Sequence, residues 1–397
     1  MNNINSRIAF LFGSGISIKA KIPSTEKITH TILDSKDIVR GSAENFFFDN
    51  PKRFDWSLYK DIPERVQIFL KILKTEIELY YNNVNRTINY EDIYFLLDFI
   101  EYNYYEEEGN PAFKYIFKEF EPKIKNLLIP LDPSLEDSFN MNRLLSESKM
   151  FIKQTVSKLL SKKAESFDAL KFLFDSLLDN EIRSFDIFTL NHDIVLEQFF
   201  ELNKIDYNDG FQTNRESINI WNPQLFNKRD KVKLYKIHGS VNWQYYNQES
   251  WKDNRIKKFP ISLLDKFDTI SNALILIGTQ NKMSDYIKDL YLELYYHFYQ
   301  SLNNNNCLII VGYGFNDRGI NQKIYNWLYN PSNRVLIIDP NVEGLKVKFP
   351  SLLFGQWNEN RNIKRIQDYI ENVSWDTIKY ELNQSSIAPQ QLNNKPT

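Results

Sequence analysis

The spacing of apolar residues changes twice along this chain, and each change marks a different kind of structure. Ile8 to Phe12 is an unbroken apolar run that stops on Gly13-Ser14-Gly15. A run of that length ended by glycine predicts a strand and a tight turn, and the segment behind it can begin a helix. From about residue 55 to 180 the period becomes helical. Val66, Phe69, Leu70 and Leu73 follow an i, i+3, i+4, i+7 pattern, as do Ile93, Leu96, Leu97 and Ile100, and Leu159 to Leu178 repeats it. Proline and acidic clusters at Glu106 to Pro111 and Ile129 to Pro133 predict connections. Strand signals return at Ser184, with runs at Phe185–Leu190, Val232–Ile237, Ala273–Ile277, Leu308–Val311 and Val335–Ile338, each ending in Gly, Asn, Asp or His. Strands alternating with helical segments predict an α/β fold with a parallel sheet covered on both faces. The expected organisation is a first strand-helix unit (1–54), a large helical insertion (55–183), the rest of the α/β domain (184–345) and a C-terminal segment (346–397). Ser385 to Thr397, rich in Gln, Asn, Ser and Pro, reads as a flexible tail.

Composition narrows the function classes. The 397 residues are 42% hydrophobic and 25% charged, enough to bury a large core. Forty-nine basic residues nearly balance 51 acidic ones. That balance gives no global footprint for nucleic acid or an anionic membrane. No apolar run approaches about 20 residues and no export signal is visible, so a cytoplasmic protein is expected. Cys307 is the single cysteine, which excludes an internal disulfide and any multi-cysteine zinc site within the chain. It falls in an apolar run and reads as a core residue. The tyrosines of the helical stretch, Tyr80, Tyr81, Tyr102, Tyr104 and Tyr105, read as helix packing, with a binding surface as the alternative.

In open α/β sheets ligands lie beyond the carboxyl ends of the strands, so the residues ending the predicted strands carry the chemistry. Gly13, Ser14, Gly15 and Ser17 offer backbone amides and hydroxyls to an anion such as a phosphate; an ordinary strand-to-helix turn has the same residues. Thr189-Leu190-Asn191-His192-Asp193 ends the second strand. An Asn amide both donates and accepts, which suits a ribose hydroxyl and a water, while Asn or Asp here also suits a helix cap. Lys236-Ile237-His238-Gly239-Ser240 ends the third, and a His can serve as a base at neutral pH. Gly312 and Gly314 admit a close ligand approach, and Asp317 can cap the following helix or contact a hydroxyl. Asp339, before Pro340 and Asn341, suits an adenosine ribose or a turn. Thr279 to Lys282 follows another strand end, and Lys282 reads as an ordinary solvated lysine.

Four of these elements resemble the sirtuins, in the sirtuin order. Gly13, Gly15, Ile16, Ser17, Ala20, Ile22 and Pro23 align with the opening G-A-G-I-S-x-x-A-G-I-P; Thr189, Asn191 and Asp193 match T-Q-N-x-D; His238-Gly239-Ser240 matches L-H-G-S; and Gly312 to Ile320 is similar to the G-Y-S-F-x-D-x-x-I of divergent sirtuin-like domains in bacterial anti-phage systems, which consume NAD. The resemblance covers residues 7–25 and about 184–341. It implies a Rossmann-like, sirtuin-type NAD-binding domain, with Asn191 and His238 catalytic and with Gly13, Ser14, Gly15, Ser17, Thr25, Asp193, Gly312, Gly314 and Asp339 holding NAD. His192 falls at a variable position of the motif and receives no role. Two departures stand against protein deacylation. The paired CxxC zinc ligands that follow the sirtuin HGS element are missing, and Ser24-Thr25-Glu26 stands where the deacylases have D-F-R.

The resemblance therefore implies an NAD glycohydrolase without zinc, the NAD-depleting effector of an anti-phage system. A deacylase and a non-catalytic NAD- or ADP-ribose-binding subunit are the other classes. About 55 residues after the enzyme fold are too few for a separate sensor domain. Control is therefore expected from self-assembly into a homo-oligomer or from a separate protein, a HerA-type hexameric ATPase being the partner of similarly sized sirtuin-like chains. The helical insertion and the aromatic region Trp243 to Trp251 are the candidate assembly surfaces, unless the aromatics are buried in their own core.

Overall fold

The structure, a computed structural model, describes residues 7–36, 38–41, 45–48, 61–81, 87–105, 111–128, 137–214, 218–247, 254–264, 273–278, 289–347 and 362–383. Strand β1 (Arg7–Phe12) leads into a four-residue 3-10 turn, Ser14–Ser17, and helix α1 (Thr25–Asp34) follows. A two-stranded pair, β2 (Val39–Arg40) and β3 (Phe46–Phe47), precedes helices α2 (Ile62–Tyr80), α3 (Tyr90–Tyr105), α4 (Pro111–Ile124), α5 (Asp137–Leu160) and α6 (Lys171–Leu178). Next come β4 (Ser184–Thr189), helix α7 (Val195–Leu202), β5 (Phe211–Thr213), β6 (Asn219–Trp221), β7 (Val232–Lys236), β8 (Gly239–Ser240), β9 (Trp243–Asn247), β10 (Asn254–Lys258) and β11 (Leu274–Ile275). The chain continues through β12 (Cys307–Val311), β13 (Arg334–Ile338) and β14 (Ile363–Ile366).

Six strands form one sheet in the order β14-β13-β12-β1-β4-β7, with every neighbouring pair parallel. This is the predicted Rossmann-like α/β architecture. The strand order reverses between β1 and β12, which makes their carboxyl ends a topological switch point. Register aligns those ends: Phe12 sits beside Thr189 and Val311, Thr189 beside Lys236, and Val311 beside Ile338. Gly13, Asn191, His238, Gly312 and Asp339 therefore all emerge from one edge.

The sheet divides the core in two. Ile8, Phe10, Phe12, Phe185, Ile187, Ile309 and Val311 face the helical segment α1–α6. Ala9, Leu11, Phe188, Tyr235, Leu308 and Ile310 face the helices Asp289–Asn304 and Arg318–Leu328. Burial on both faces is why β1 reads as a continuous apolar run rather than an alternating one.

The structure departs from the sequence reading in four places. Behind Gly13 lies the short 3-10 turn; the α-helix begins only at Thr25, after Pro23 and the cap Ser24, whose hydroxyl accepts from Lys27 N. The helical pattern of Leu159–Leu178 breaks between α5 and α6. Ala273–Ile277 is buried, but its strand residues pair antiparallel with Gly239-Ser240 outside the main sheet, since an apolar run specifies burial and not a partner. The C-terminal segment contributes to the fold, with β14 on the sheet edge and the helix Trp375–Asn383 tied to Asp179. Glu106–Asn110, Ile129–Pro133, Thr279–Lys282, Trp251 and the tail Ser385–Thr397 lie outside the described residues. No described helix is long and apolar enough to cross a membrane.

Candidate active site

Two glycine loops meet at the switch point. Gly13 N donates to Val311 O and Gly15 N to Gly312 O, both at 3.0 Å. A Cβ added at Gly13 would lie 2.5 Å from Gly312 O, and one at Gly15 2.5 Å from Gly312 Cα. Gly312 itself has φ +61°, and its added Cβ would strike Gly15 Cα at 2.6 Å. These three glycines are required by each other, because the two backbones touch. Gly314 is different. An added Cβ there would meet only Asn316 Nδ2 at 3.4 Å, which leaves space beside it.

Asn191 joins the next strand end to this pair. Its Nδ2 donates to Gly13 O (3.0 Å) and Ser17 Oγ (3.1 Å), and its own N–H donates to Thr189 Oγ1. The Gly13 carbonyl demands a donor, which fixes which way the amide points. Oδ1 accepts no hydrogen bond from a described residue, and an amide oxygen has the chemistry to accept one from a hydroxyl or a water.

Asp193 holds the start of the next helix. Its Oδ1 accepts from Val195 N at 3.1 Å, opening α7. Burial raises its carboxyl above the ordinary value, against the pull of Lys236, the Val195 amide and Ser17. Beneath it Lys236 is buried, donating to the Asp193 carbonyl and to Glu197 Oε1 at 2.8 Å. Burial also raises the Glu197 carboxyl, with the Lys236 ammonium opposing the shift. Lys236 and Glu197 were not singled out by the sequence reading. An Asp–x–x–x–Glu spacing across a helix start is a faint signal, and the lysine that pairs with it is 39 residues away.

His238 lies at the end of β7, 3% exposed, with Nε2 3.0 Å from Asp317 Oδ2. Its backbone is held just past β11, where Leu276 N donates to His238 O at 2.9 Å. Gly239 has φ +78°, and its added Cβ would lie 2.0 Å from Leu274 O, so the HGS turn needs this glycine. Asp317 caps the helix Arg318–Leu328 as expected, its Oδ1 accepting from Ile320 N. The contact of its other oxygen with His238 was not expected. Nothing in one-dimensional spacing pairs residues 79 positions apart.

The remaining predicted residues are placed less centrally. Ser14 is exposed, and Thr25 is the half-buried first residue of α1, its carbonyl accepting from Thr29. No hydrogen bond among the described residues joins either side chain to Asn191 or His238. Asp339 forms the Asx turn, accepting from Asn341 N at 2.8 Å. Trp243 is 1% exposed and packs on Phe211 and Trp221, so burial accounts for it and not an assembly surface; Tyr245 beside it is 45% exposed. Cys307 is buried in β12 as expected, and burial pushes its thiol up to about 12. Among the described residues no cluster of three or more His, Cys, Asp or Glu could hold a metal ion.

Residues 186–364 match the family profile described as the SIR2-like domain. No curated protein matches the chain by sequence. Similar solved structures include a Sir2 in complex with an inhibitor, 2'-O-acetyl-ADP-ribose and a deacetylated peptide (9% identity, 94% of this chain and 93% of that chain, TM-score 0.36). A Sir2 homologue–NAD complex (8%, 95% and 89%, 0.37) and the ADP-ribose complex of a Sir2 homologue variant (8%, 95% and 92%, 0.38) are also similar. The stretch that carries Asn191, His238, Gly312, Asp317 and Asp339 is thus the stretch that matches the SIR2-like domain.

Proposed function

We propose that this protein cleaves the nicotinamide–ribose bond of NAD by hydrolysis. The observation that carries the reading is the placement of Asn191, hydrogen-bonded to the Gly13 loop, beside His238 on the next strand end. In this reading the loops at Gly13–Gly15 and Gly312–Gly314 receive the pyrophosphate, and Asp339 the adenosine ribose. Asn191 Oδ1 orients a water or the nicotinamide ribose. Water adds at C1′, nicotinamide leaves with the bonding electrons, and the water's proton passes to His238 as general base. NAD and water thus give nicotinamide, ADP-ribose and a proton. A sirtuin-type cysteine zinc site has too few ligands in a chain with one cysteine, so no step involves it.

Free NAD hydrolysis at this level would deplete its host, so we place control in assembly, as a homo-oligomer or beside a HerA-type ATPase, in an anti-phage setting. The test is release of nicotinamide and ADP-ribose from NAD by the full chain, alone and with neighbouring gene products, with assembly mass measured in parallel. His238→Ala and Asn191→Ala are expected to slow cleavage by roughly 10²–10⁴-fold, and chelators to leave it unchanged. Release that requires an acyl-lysine peptide would make the protein a deacylase. Binding of NAD without turnover would make it a sensor. A fully active lone monomer would remove the assembly proposal.

A further inference from the structure

Capping explains only half of Asp317. A cap needs one oxygen, and Ser or Thr would supply it without burying a charge. Asp317 is nonetheless 5% exposed, with Oδ1 on Ile320 N and Oδ2 on the His238 imidazole, each at 3.0 Å. The loop that delivers it is strained: Phe315, a bulky residue, has φ +52°. A clasp holds that conformation. Tyr313 hydroxyl donates to Asn321 Oδ1 (2.8 Å) and accepts from Asp317 N (3.2 Å), while Asn321 Nδ2 donates to Phe315 O (2.8 Å). Strain of about 1–3 kcal/mol persists only where the surroundings over-determine it, and here they fix the direction of one carboxylate.

We propose that Asp317 is a positioning residue for His238. It accepts a hydrogen bond from Nε2–H, which fixes the tautomer and orientation of the ring, and it stabilises the imidazolium formed when His238 takes a proton. The proposal rests on the NAD-cleavage reading only for the reaction that it serves. Other groups face the pair. Tyr313 and Tyr295 stay protonated near neutrality, burial raising both phenols and the Asp317 charge raising them further, Tyr295 to about 12. Tyr291 lies beside Gly239, and the His192 ring is 6.1 Å from that of His238.

The experiment combines kinetics with a readout independent of the reaction. The full chain is labelled with ¹⁵N-histidine, and the His238 resonances are identified by their loss in His238→Gln. In the wild type Nε2 is expected to carry the proton of the neutral ring. In Asp317→Asn, which keeps the cap oxygen but not the charge, the His238 titration midpoint and the acidic limb of the rate profile both move to lower pH. Turnover falls by about 10²-fold while KM for NAD changes less than about threefold. Asp317→Ser, which also retains a cap, repeats the loss. Unchanged titration or turnover in both variants would reduce Asp317 to a cap and overturn the proposal. A shifted titration in a protein that does not cleave NAD would sustain the positioning role and sink the hydrolase reading alone.

Discussion

Gly312 shows how one residue joins two loops. Its positive φ and its contact with Gly15 both forbid a side chain, whereas Gly314 meets neither constraint. Gly312→Ala is therefore expected to cost about 2 kcal/mol or more, through the left-handed backbone and the displaced Gly15 loop. Gly314→Ala should stay within about 0.5 kcal/mol. Denaturant unfolding compares the two, and equal stability of both variants would contradict the backbone contact. These glycines were visible in the sequence as turn residues. That Gly13 and Gly15 serve the fit to Gly312, about 300 positions later, was not visible.

At the scale of elements, Lys236 latches β7 to α7. Its ammonium is buried against Glu197 and the Asp193 carbonyl, directly under the Asn191 loop. Removing one partner leaves a buried uncompensated charge, so Lys236→Met should destabilise by about 3–5 kcal/mol. Adding Glu197→Leu should recover most of that loss, because the remaining charge disappears with its partner. A double-mutant cycle measures the coupling; additive effects would show that the pair contributes nothing beyond its separate parts. The strands themselves were legible from their apolar runs. Which residues would lie beneath the site was not, because the latch closes between separate elements.

At the scale of the molecule, the C-terminal helix Trp375–Asn383 is tied back to the helical segment through Asp179. Burial would raise this carboxyl, but hydrogen bonds from the Trp375 indole, the Lys379 ammonium and the Glu181 amide outweigh it and hold it down at about 2. A depressed carboxyl contributes stability that is complete above the unfolded value near 4 and is lost as pH falls through 2. The contribution is on the order of 2 kcal/mol. Asp179→Asn should thus be less stable than the wild type at pH 7, with the difference closing between pH 4 and pH 2. Urea unfolding at several pH values checks this, and a difference independent of pH would remove the ionic component.

Short-range physics made part of this protein legible from its sequence. Continuous apolar runs specify strands buried on both faces, helical periodicity specifies α2 and α3, and glycine, Asn and His at strand ends mark where a ligand could lie. Those signals depend on residues a few positions apart. The tertiary structure decided everything that depends on residues far apart in sequence: that Ala273–Ile277 clamps the His238 turn and not the sheet, that β14 completes the sheet, and that Trp243 is core. It also decided that Asp317, a helix cap by local rules, faces His238 across 79 residues. Local propensity can place a carboxylate at a helix start; only parallel register, which brings strand ends to one edge, can aim its second oxygen at an imidazole.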